Sequence, residues 1–177
     1  MRRLTFVAIA FVLVLSSLAA VQAPMPTAGP EHKRLNYFAG SWTLTGTAMD
    51  SPMGKGGPMT MKETCELMEG GFAIVCRSQG KGPMGPQRAV SIMSYDAEKK
   101  AYSYTAAESN MPVFTASGQV NGPTWTWTAQ SSMGGQTITT RVTVTEKDPK
   151  SYDFVMELSM DGKTFARLAE AKVTKSS

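Results

Sequence analysis

The most constraining feature of this sequence is a series of short segments in which apolar and polar residues alternate. Beyond Gly40, for example, Trp42, Leu44 and two small residues alternate with threonines. A period of two is typical of a strand with one buried face. The pattern predicts ten strands, the first beyond Gly40 and the others near 59–68, 72–79, 88–95, 101–108, 113–120, 123–131, 136–146, 151–160 and 163–174.

The connections between these segments predict how the strands are arranged. Gly70-Gly71, Asn121-Gly122, Gly134-Gly135 and Asp161-Gly162 supply the positive φ that tight hairpin turns need. No helix-length segment interrupts the series, so parallel crossovers have no connecting helices. We therefore predict an all-β fold, an up-and-down antiparallel barrel whose closure removes exposed strand edges.

Two connections are longer and rich in glycine and proline, at 50–58 and 80–86. Long loops of this kind are more mobile and more often functional than tight turns. We expect them to form a rim beside the barrel mouth.

The N-terminus has the order of a secretory signal peptide. Arg2 and Arg3 precede an apolar run over 4–14, which small residues follow. The run is shorter than the roughly 20 residues that span a bilayer, which argues against the alternative of an uncleaved anchor. We predict a signal peptide over 1–20, cleaved after Ala19 or Ala20, a linker over 21–29 and one domain over 30–174. The mature protein is then secreted or periplasmic, with no membrane span.

A short helix is predicted over 30–38, between the linker and the first strand. Pro30 suits the first position of a helix, and Leu35 and Phe38 share one face. We expect this face to cap one end of the barrel.

The two cysteines are predicted to form a structural disulfide. Counting back from a Gly70-Gly71 turn sets Cys65 opposite Cys76 across a hairpin. Export brings such a pair into an oxidising compartment, and the close Cys-x-x-Cys spacing of redox enzymes is absent.

Several motifs carry a resemblance to known families. The helix, the segment Phe38-Ala39-Gly40-Ser41-Trp42 and the antiparallel strands together resemble the calycin superfamily, which includes the lipocalins. The resemblance implies that Gly40 and Trp42 form its Gly-x-Trp motif, whose tryptophan plugs one barrel end. With Gly29–Lys33 and Ser94-Tyr95-Asp96, the chain more closely resembles a bacterial family of unknown function, DUF1579, over roughly 29–174.

The same resemblance bears on a haem cofactor and on one arginine. Ten-stranded haem barrels of the nitrobindin type hold iron through a late histidine, but no histidine follows His32 here, and we predict no cofactor. Alternation places Arg167 on the strand face of Phe165 and Ala169. In calycins an arginine of the last strand packs on the motif tryptophan, which implies that Arg167 lies over Trp42. The alternative is a buried cation that binds a ligand carboxylate.

Charge and composition exclude some functions. The formal charge of +4 falls to +2 without Arg2 and Arg3, and no concentrated basic patch indicates nucleic-acid binding. His32, the only histidine, is expected to be a solvated helix residue without a catalytic partner. No catalytic residue is predicted, and the oligomeric state is left open.

The leading functional prediction is a binding module that holds a small apolar or amphipathic molecule in the barrel. Trp125 and Trp127, two residues apart, share a face and would form its aromatic wall, while Arg167 or Arg141 would orient a carboxylate head. The alternatives are a structural or interaction barrel without a ligand, an enzyme with an unidentified site, and Cu(I) binding. Thioethers suit Cu(I), and the candidate ligands are Met53, Met59, Met61 and Met84.

Overall fold

The computed structural model describes residues 27–52 and 54–176. The predicted signal peptide over 1–20, and residues 21–26 of the predicted linker, lie outside the described residues. A helix, α1 (Pro30–Arg34), continues into a 3-10 turn (Leu35–Phe38). The described chain then forms ten strands: β1 (Gly40–Ala48), β2 (Gly57–Leu67), β3 (Ala73–Gly82), β4 (Gly85–Asp96), β5 (Ala101–Glu108), β6 (Met111–Asn121), β7 (Thr124–Met133), β8 (Gln136–Asp148), β9 (Ser151–Ser159) and β10 (Ala166–Lys175).

The ten strands form a closed antiparallel barrel, which confirms the predicted fold class. Each strand pairs with its neighbours in sequence, and β1 also pairs with β10, with Trp42 opposite Lys175. Closure leaves none of these ten strands with a free edge, as an up-and-down barrel predicts. Of the helices among the described residues, none has the length and apolar character needed to cross a bilayer.

The helix covers one end of the barrel, which we call the closed end. Leu35 and Phe38 are buried there, as their shared face predicted. Trp42 is only 1% exposed, and its Nε1 donates a hydrogen bond of 2.7 Å to the Phe38 carbonyl oxygen. The Tyr37 hydroxyl donates to the Ser151 carbonyl oxygen at 2.8 Å. Trp42 thus plugs this end, in the position that the Gly-x-Trp motif implies.

The disulfide forms as predicted. Cys65 on β2 lies opposite Cys76 on β3, the two sulfur atoms are bonded, and both residues are buried. The Gly70-Gly71 turn that sets this register has both glycines at positive φ, +84° and +73°. The bond joins two adjacent strands on the inner face of the barrel wall.

The predicted long loop over 80–86 is wrong. Strands β3 and β4 pair as far as Gly82 and Gly85, which leaves only a two-residue turn. Gly80 lies within β3 and not in a loop. A Cβ at this position would lie 2.1 Å from the carbonyl oxygen of Thr60 on β2. Glycine therefore permits close approach of two strands, and the sequence pattern cannot distinguish that from a flexible loop.

Candidate ligand site in the barrel

The barrel interior has two halves that differ in solvent exposure. Next to the helix, the inward side chains are buried: Trp42, Ile74, Tyr102, Trp125, Val144, Tyr152 and Val173. Toward the other end Ile138 is buried, but most large inward apolar side chains stay partly exposed: Leu44, Met61, Phe114, Val142, Phe154 and Met156. Large apolar residues of a filled core would be sealed, so this second half, which we call the open half, is accessible to solvent.

Two tryptophans form the floor beneath the open half. The rings of Trp125 and Trp127 stack with centroids 6.0 Å apart and planes 9° apart. Gly118 lies opposite Trp127 on the neighbouring strand, and a Cβ there would be 2.5 Å from atoms of the Trp127 ring. The absence of a side chain at Gly118 therefore makes room for the Trp127 ring.

Charged groups at the closed end hold this floor in place. Trp125 Nε1 donates to Glu146 Oε1 at 2.6 Å, and Arg34 Nη2 approaches the same oxygen at 2.6 Å. The Arg34 guanidinium also lies 5.3 Å from the Trp125 ring centre. One carboxylate thus joins the helix to the tryptophan floor through two charge-assisted contacts.

Glu63 is the most unusual polar residue lining the open half, and it lies at the border with the buried half, opposite Trp42. It faces inward on β2, between Trp42 of β1 and Ser78 of β3 in the strand register. A carboxylate oxygen lies within 4.8 Å of the sulfur atoms of Cys65 and Cys76. Burial is the single cause that raises the pKa of this carboxyl above its ordinary value of 4.5.

The Glu63 carboxyl also has no hydrogen-bond donor or cation among the described residues, and the disulfide sulfurs carry no proton to give. Every described side-chain oxygen or nitrogen that is sealed from solvent has a partner. The oxygens of Glu63 therefore keep contact with solvent.

Two further ionisable groups line the same half. Tyr104 is hydrogen-bonded to Ser91, and burial together with the nearby charges of Glu63 and Glu108 raises its pKa to about 12. Burial also raises the pKa of Glu108, whose carboxylate accepts a hydrogen bond of 3.3 Å from Gln87. Tyr104 is therefore neutral at physiological pH, and both carboxyls lie in a poorly solvated environment.

Among the described residues, no lysine or arginine on the inner wall of the open half pairs with these two carboxyls. Strand alternation turns Lys62, Arg77 and Arg88 toward the outer surface, where they are exposed. Lys175 shares a register row with Glu63, but Trp42 lies between them, and the Lys175 Nζ is 5.1 Å from the Trp42 ring centre. The open half is therefore acidic.

Arg167 lies on the outer surface, and its predicted contact with Trp42 is wrong. A register shift between Arg167 and Ala169 inserts one extra residue in β10, so alternation counted back from Ala169 assigns Arg167 to the wrong face. Arg167 pairs with Glu170 at 2.7 Å, and Lys175 occupies the place over Trp42.

The side chain of Arg141 also lies on the outer surface of the barrel. It pairs with Glu157 at 2.9 Å, and its guanidinium lies 3.8 Å from the Phe165 ring centre. A ligand role for Arg141 or Arg167 stays a prediction, and it would require either group to leave its carboxylate partner.

The methionines proposed for Cu(I) do not share one environment. Met59 and Met61 face inward on β2, whereas Met84 is 65% exposed at the turn between β3 and β4. Met53 lies outside the described residues. Copper binding by this set stays a prediction.

His32 is held in the fold more firmly than a solvated helix residue. Its Nδ1 accepts a hydrogen bond of 3.3 Å from the Gly29 backbone. Its ring packs edge-on against Phe72 and Tyr95, with centroids 5.0 and 5.6 Å away. These contacts give His32 a structural role at the closed end.

Sequence reasoning missed Glu63 and Glu108, although a signal for Glu63 was present. A buried Cys65–Cys76 pair marks the inward face of β2, and Glu63 stands two residues before Cys65 on that face. A charged residue on an inward face is rare without a partner. Glu108 is harder to assign because an irregular register separates it from Ala106 in the pairing with β6.

A shallow groove of about 840 Å³ crosses β1–β5, and its lining includes the inward residues Trp42, Glu63, Ser78 and Ala89 as well as outward ones. Its exposed basic side chains are Lys62, Arg77 and Arg88, with Thr43 and Ser109 beside them. Surface cations of this kind attract anions without defining a specific site. The interior therefore remains the stronger candidate.

Comparisons with known proteins place the fold without assigning an activity. The family described as "Protein of unknown function (DUF1579)" matches residues 27–175. No curated protein matches the chain. The crystal structure of Rv2717c from M. tuberculosis is similar with a TM-score of 0.58 and 10% identity, over 84% of this chain and 99% of that one. The S-type phycobiliprotein lyase CPES from Guillardia theta is similar with a TM-score of 0.53 and 8% identity, over 83% and 93%.

Proposed function

This chain belongs to the DUF1579 family of proteins of unknown function, and from the geometry of its barrel we propose that it binds a small apolar or amphipathic molecule in the open half. The observation that carries the proposal is the partial exposure of inward apolar side chains such as Leu44, Phe154 and Met156. Covering this surface with an apolar ligand removes it from water, at roughly 25 cal/mol per Å².

The floor of the open half supports a preformed site. The stacked pair of Trp125 and Trp127 is fixed from below by Glu146 and Arg34. The disulfide between β2 and β3 constrains the adjoining wall. A ligand that enters such a rigid pocket loses little affinity to reordering of the protein.

The test is calorimetric titration of the oxidised protein with decan-1-ol, an uncharged amphiphile. Ala89 faces inward on β4, and Ala89→Phe would fill part of the open half. Val90, the next residue on the same strand, is 45% exposed on the outer surface, so Val90→Phe is the matched control.

Saturable binding to the wild type and to Val90→Phe, with loss of binding in Ala89→Phe, is the expected result. Equal binding by both variants would mean that decan-1-ol binds outside the barrel. Absence of saturable binding to decan-1-ol and to charged analogues of the same chain length would overturn the proposal in favour of a structural or interaction barrel.

We also propose that the mature protein is secreted or periplasmic. Arg2, Arg3 and the apolar run over 4–14 support export, and the Cys65–Cys76 bond suits an oxidising compartment. N-terminal sequencing of the exported protein should find a start at Ala20 or Val21. A start at Met1 would contradict cleavage.

A further inference from the structure

We propose that the preferred ligand of the open half is a cationic amphiphile, such as an alkylamine, whose ammonium group pairs with the Glu63 carboxyl. The inference rests on the proposed function and names the chemical class of the ligand. It reverses the polarity expected from the sequence, in which an arginine would hold a carboxylate.

The position of Glu63 makes the carboxyl available to a ligand. It faces inward between Trp42 and Ser78, beside the disulfide sulfurs, and no donor among the described residues satisfies it. Buried charged groups are normally paired, because an unpaired one loses its hydration without compensation. The carboxyl oxygens of Glu63 are therefore available to accept hydrogen bonds from a ligand in the barrel.

The surroundings select a positive head group over a negative one. Glu108 adds a second carboxyl to the same half, and the described inner wall there carries no cation. Tyr104 and Ser91 are already hydrogen-bonded to each other. An anionic head group would meet carboxylates that repel it, whereas an ammonium ion would supply both charge and hydrogen bonds.

The apolar residues of the open half accommodate the rest of the molecule. Leu44 and Met61 lie opposite each other on β1 and β2, in the row of inward residues next to Trp42 and Glu63. Phe154 and Met156 extend apolar surface on β9. One acidic group within an apolar lining is the arrangement that orients an amphiphile.

A structural role for Glu63 is the competing explanation, and the contacts argue against it. A structural carboxylate would accept hydrogen bonds from its neighbours, as Glu146 does from Trp125 and Asp161 does from the backbone of Thr164. Glu63 has no such contact among the described residues.

The experiment compares three ligands with the same ten-carbon chain: decylamine, decan-1-ol and decanoate. Each is titrated calorimetrically into the oxidised protein at pH 7.5 and low ionic strength, below its micelle concentration. The variants are Glu63→Gln, which keeps the shape of the side chain, and Glu66→Gln, which removes a charge from the exposed face of the same strand.

Decylamine should bind the wild type about tenfold more tightly than decan-1-ol, as one charge-assisted hydrogen bond provides, and decanoate should bind least. Glu63→Gln should remove the preference for decylamine while leaving affinity for decan-1-ol unchanged, and Glu66→Gln should change neither.

The outcomes separate the two proposals. If decan-1-ol binds and decylamine binds no more tightly, or if the preference survives in Glu63→Gln, the cation inference is overturned and the proposed function stands. If none of the three ligands binds the wild type, the proposed function fails as well. Loss of all binding in a Glu63→Gln variant that keeps the far-ultraviolet spectrum of the wild type would overturn the inference, because it indicates a role in shaping the cavity.

Discussion

The Nζ of Lys175 lies 5.1 Å from the ring centre of Trp42, and the two residues are directly opposite each other where β10 meets β1. This contact lies at the seam that closes the barrel. The Nε1 of Trp42 also donates a hydrogen bond to the Phe38 carbonyl oxygen. The first strand, the last strand and the helix are therefore joined at one indole ring.

Replacing Trp42 should be far more costly than replacing Lys175. Trp42→Ala removes a side chain that is only 1% exposed, and truncation of a core tryptophan costs about 3–5 kcal/mol. Lys175→Met keeps the aliphatic stem and loses only the cation–π contact, which contributes about 0.5–2 kcal/mol. Urea unfolding at pH 7 measures both, and equal losses would show that the seam depends mainly on the cation.

Removing the disulfide should lower the free energy of unfolding without changing the fold. The bond joins residues that are 11 apart in sequence, and a loop of this length stabilises by about 3 kcal/mol in the chain-entropy model. The double variant Cys65→Ala/Cys76→Ala should show this loss in urea unfolding and retain the far-ultraviolet spectrum of the wild type. A loss below about 0.5 kcal/mol would contradict the prediction.

Glu63 should make the wild type lose stability as the pH rises. Burial raises the pKa of this carboxyl in the folded protein, so between the ordinary value of 4.5 and the raised value the folded state binds more protons than the unfolded state. The contribution of Glu63 to the free energy of unfolding is fully present below pH 4.5. It is lost as the pH rises through the raised pKa of the folded state. The ionisable groups facing Glu63, Tyr104 on β5 and Tyr152 on β9, have raised pKa values and stay neutral in this range.

Glu63→Gln should therefore be more stable than the wild type at pH 7, and the difference should shrink toward pH 4. Unfolding by urea at a series of pH values measures the effect without any ligand. Glu66→Gln, on the exposed face of β2, should follow the wild type. A Glu63→Gln variant that is less stable at pH 7 would mean that the charged carboxylate has a stabilising partner.

The barrel was predictable from sequence because its signals are local. Alternation identified the strands, glycine pairs such as Gly70-Gly71 set hairpin registers, and that register correctly paired Cys65 with Cys76. These features depend on a few neighbouring residues, so one sequence is enough to read them.

The candidate site was less predictable because it depends on irregular strand pairing and on contacts between strands that are far apart in the sequence. The extra residue between Arg167 and Ala169 reverses the alternation of β10, and nothing in the composition there indicates a bulge. Whether Glu63 has a partner is decided by residues on β1, β3, β5 and β9 together. Only the closed barrel shows that its inner wall, as far as the described residues form it, offers none.

The stacked tryptophan floor leads to a final prediction at Gly118. A Cβ at this position would lie 2.5 Å from two atoms of the Trp127 ring, closer than any relaxed contact. Gly118→Ala should push Trp127 out of its stack on Trp125 and destabilise the protein by about 1–3 kcal/mol, the usual cost of overpacking.

Gly82→Ala is the matched control, because a Cβ at Gly82 would meet only the Met59 Cβ, at an ordinary 3.8 Å. Its effect on urea unfolding should stay within about 0.5 kcal/mol, or be stabilising through loss of chain entropy in the unfolded state. Near-ultraviolet circular dichroism reports the tryptophan pair directly and should change in Gly118→Ala alone. An unchanged spectrum with unchanged stability would show that the floor can shift freely, which would remove the argument that the site is preformed.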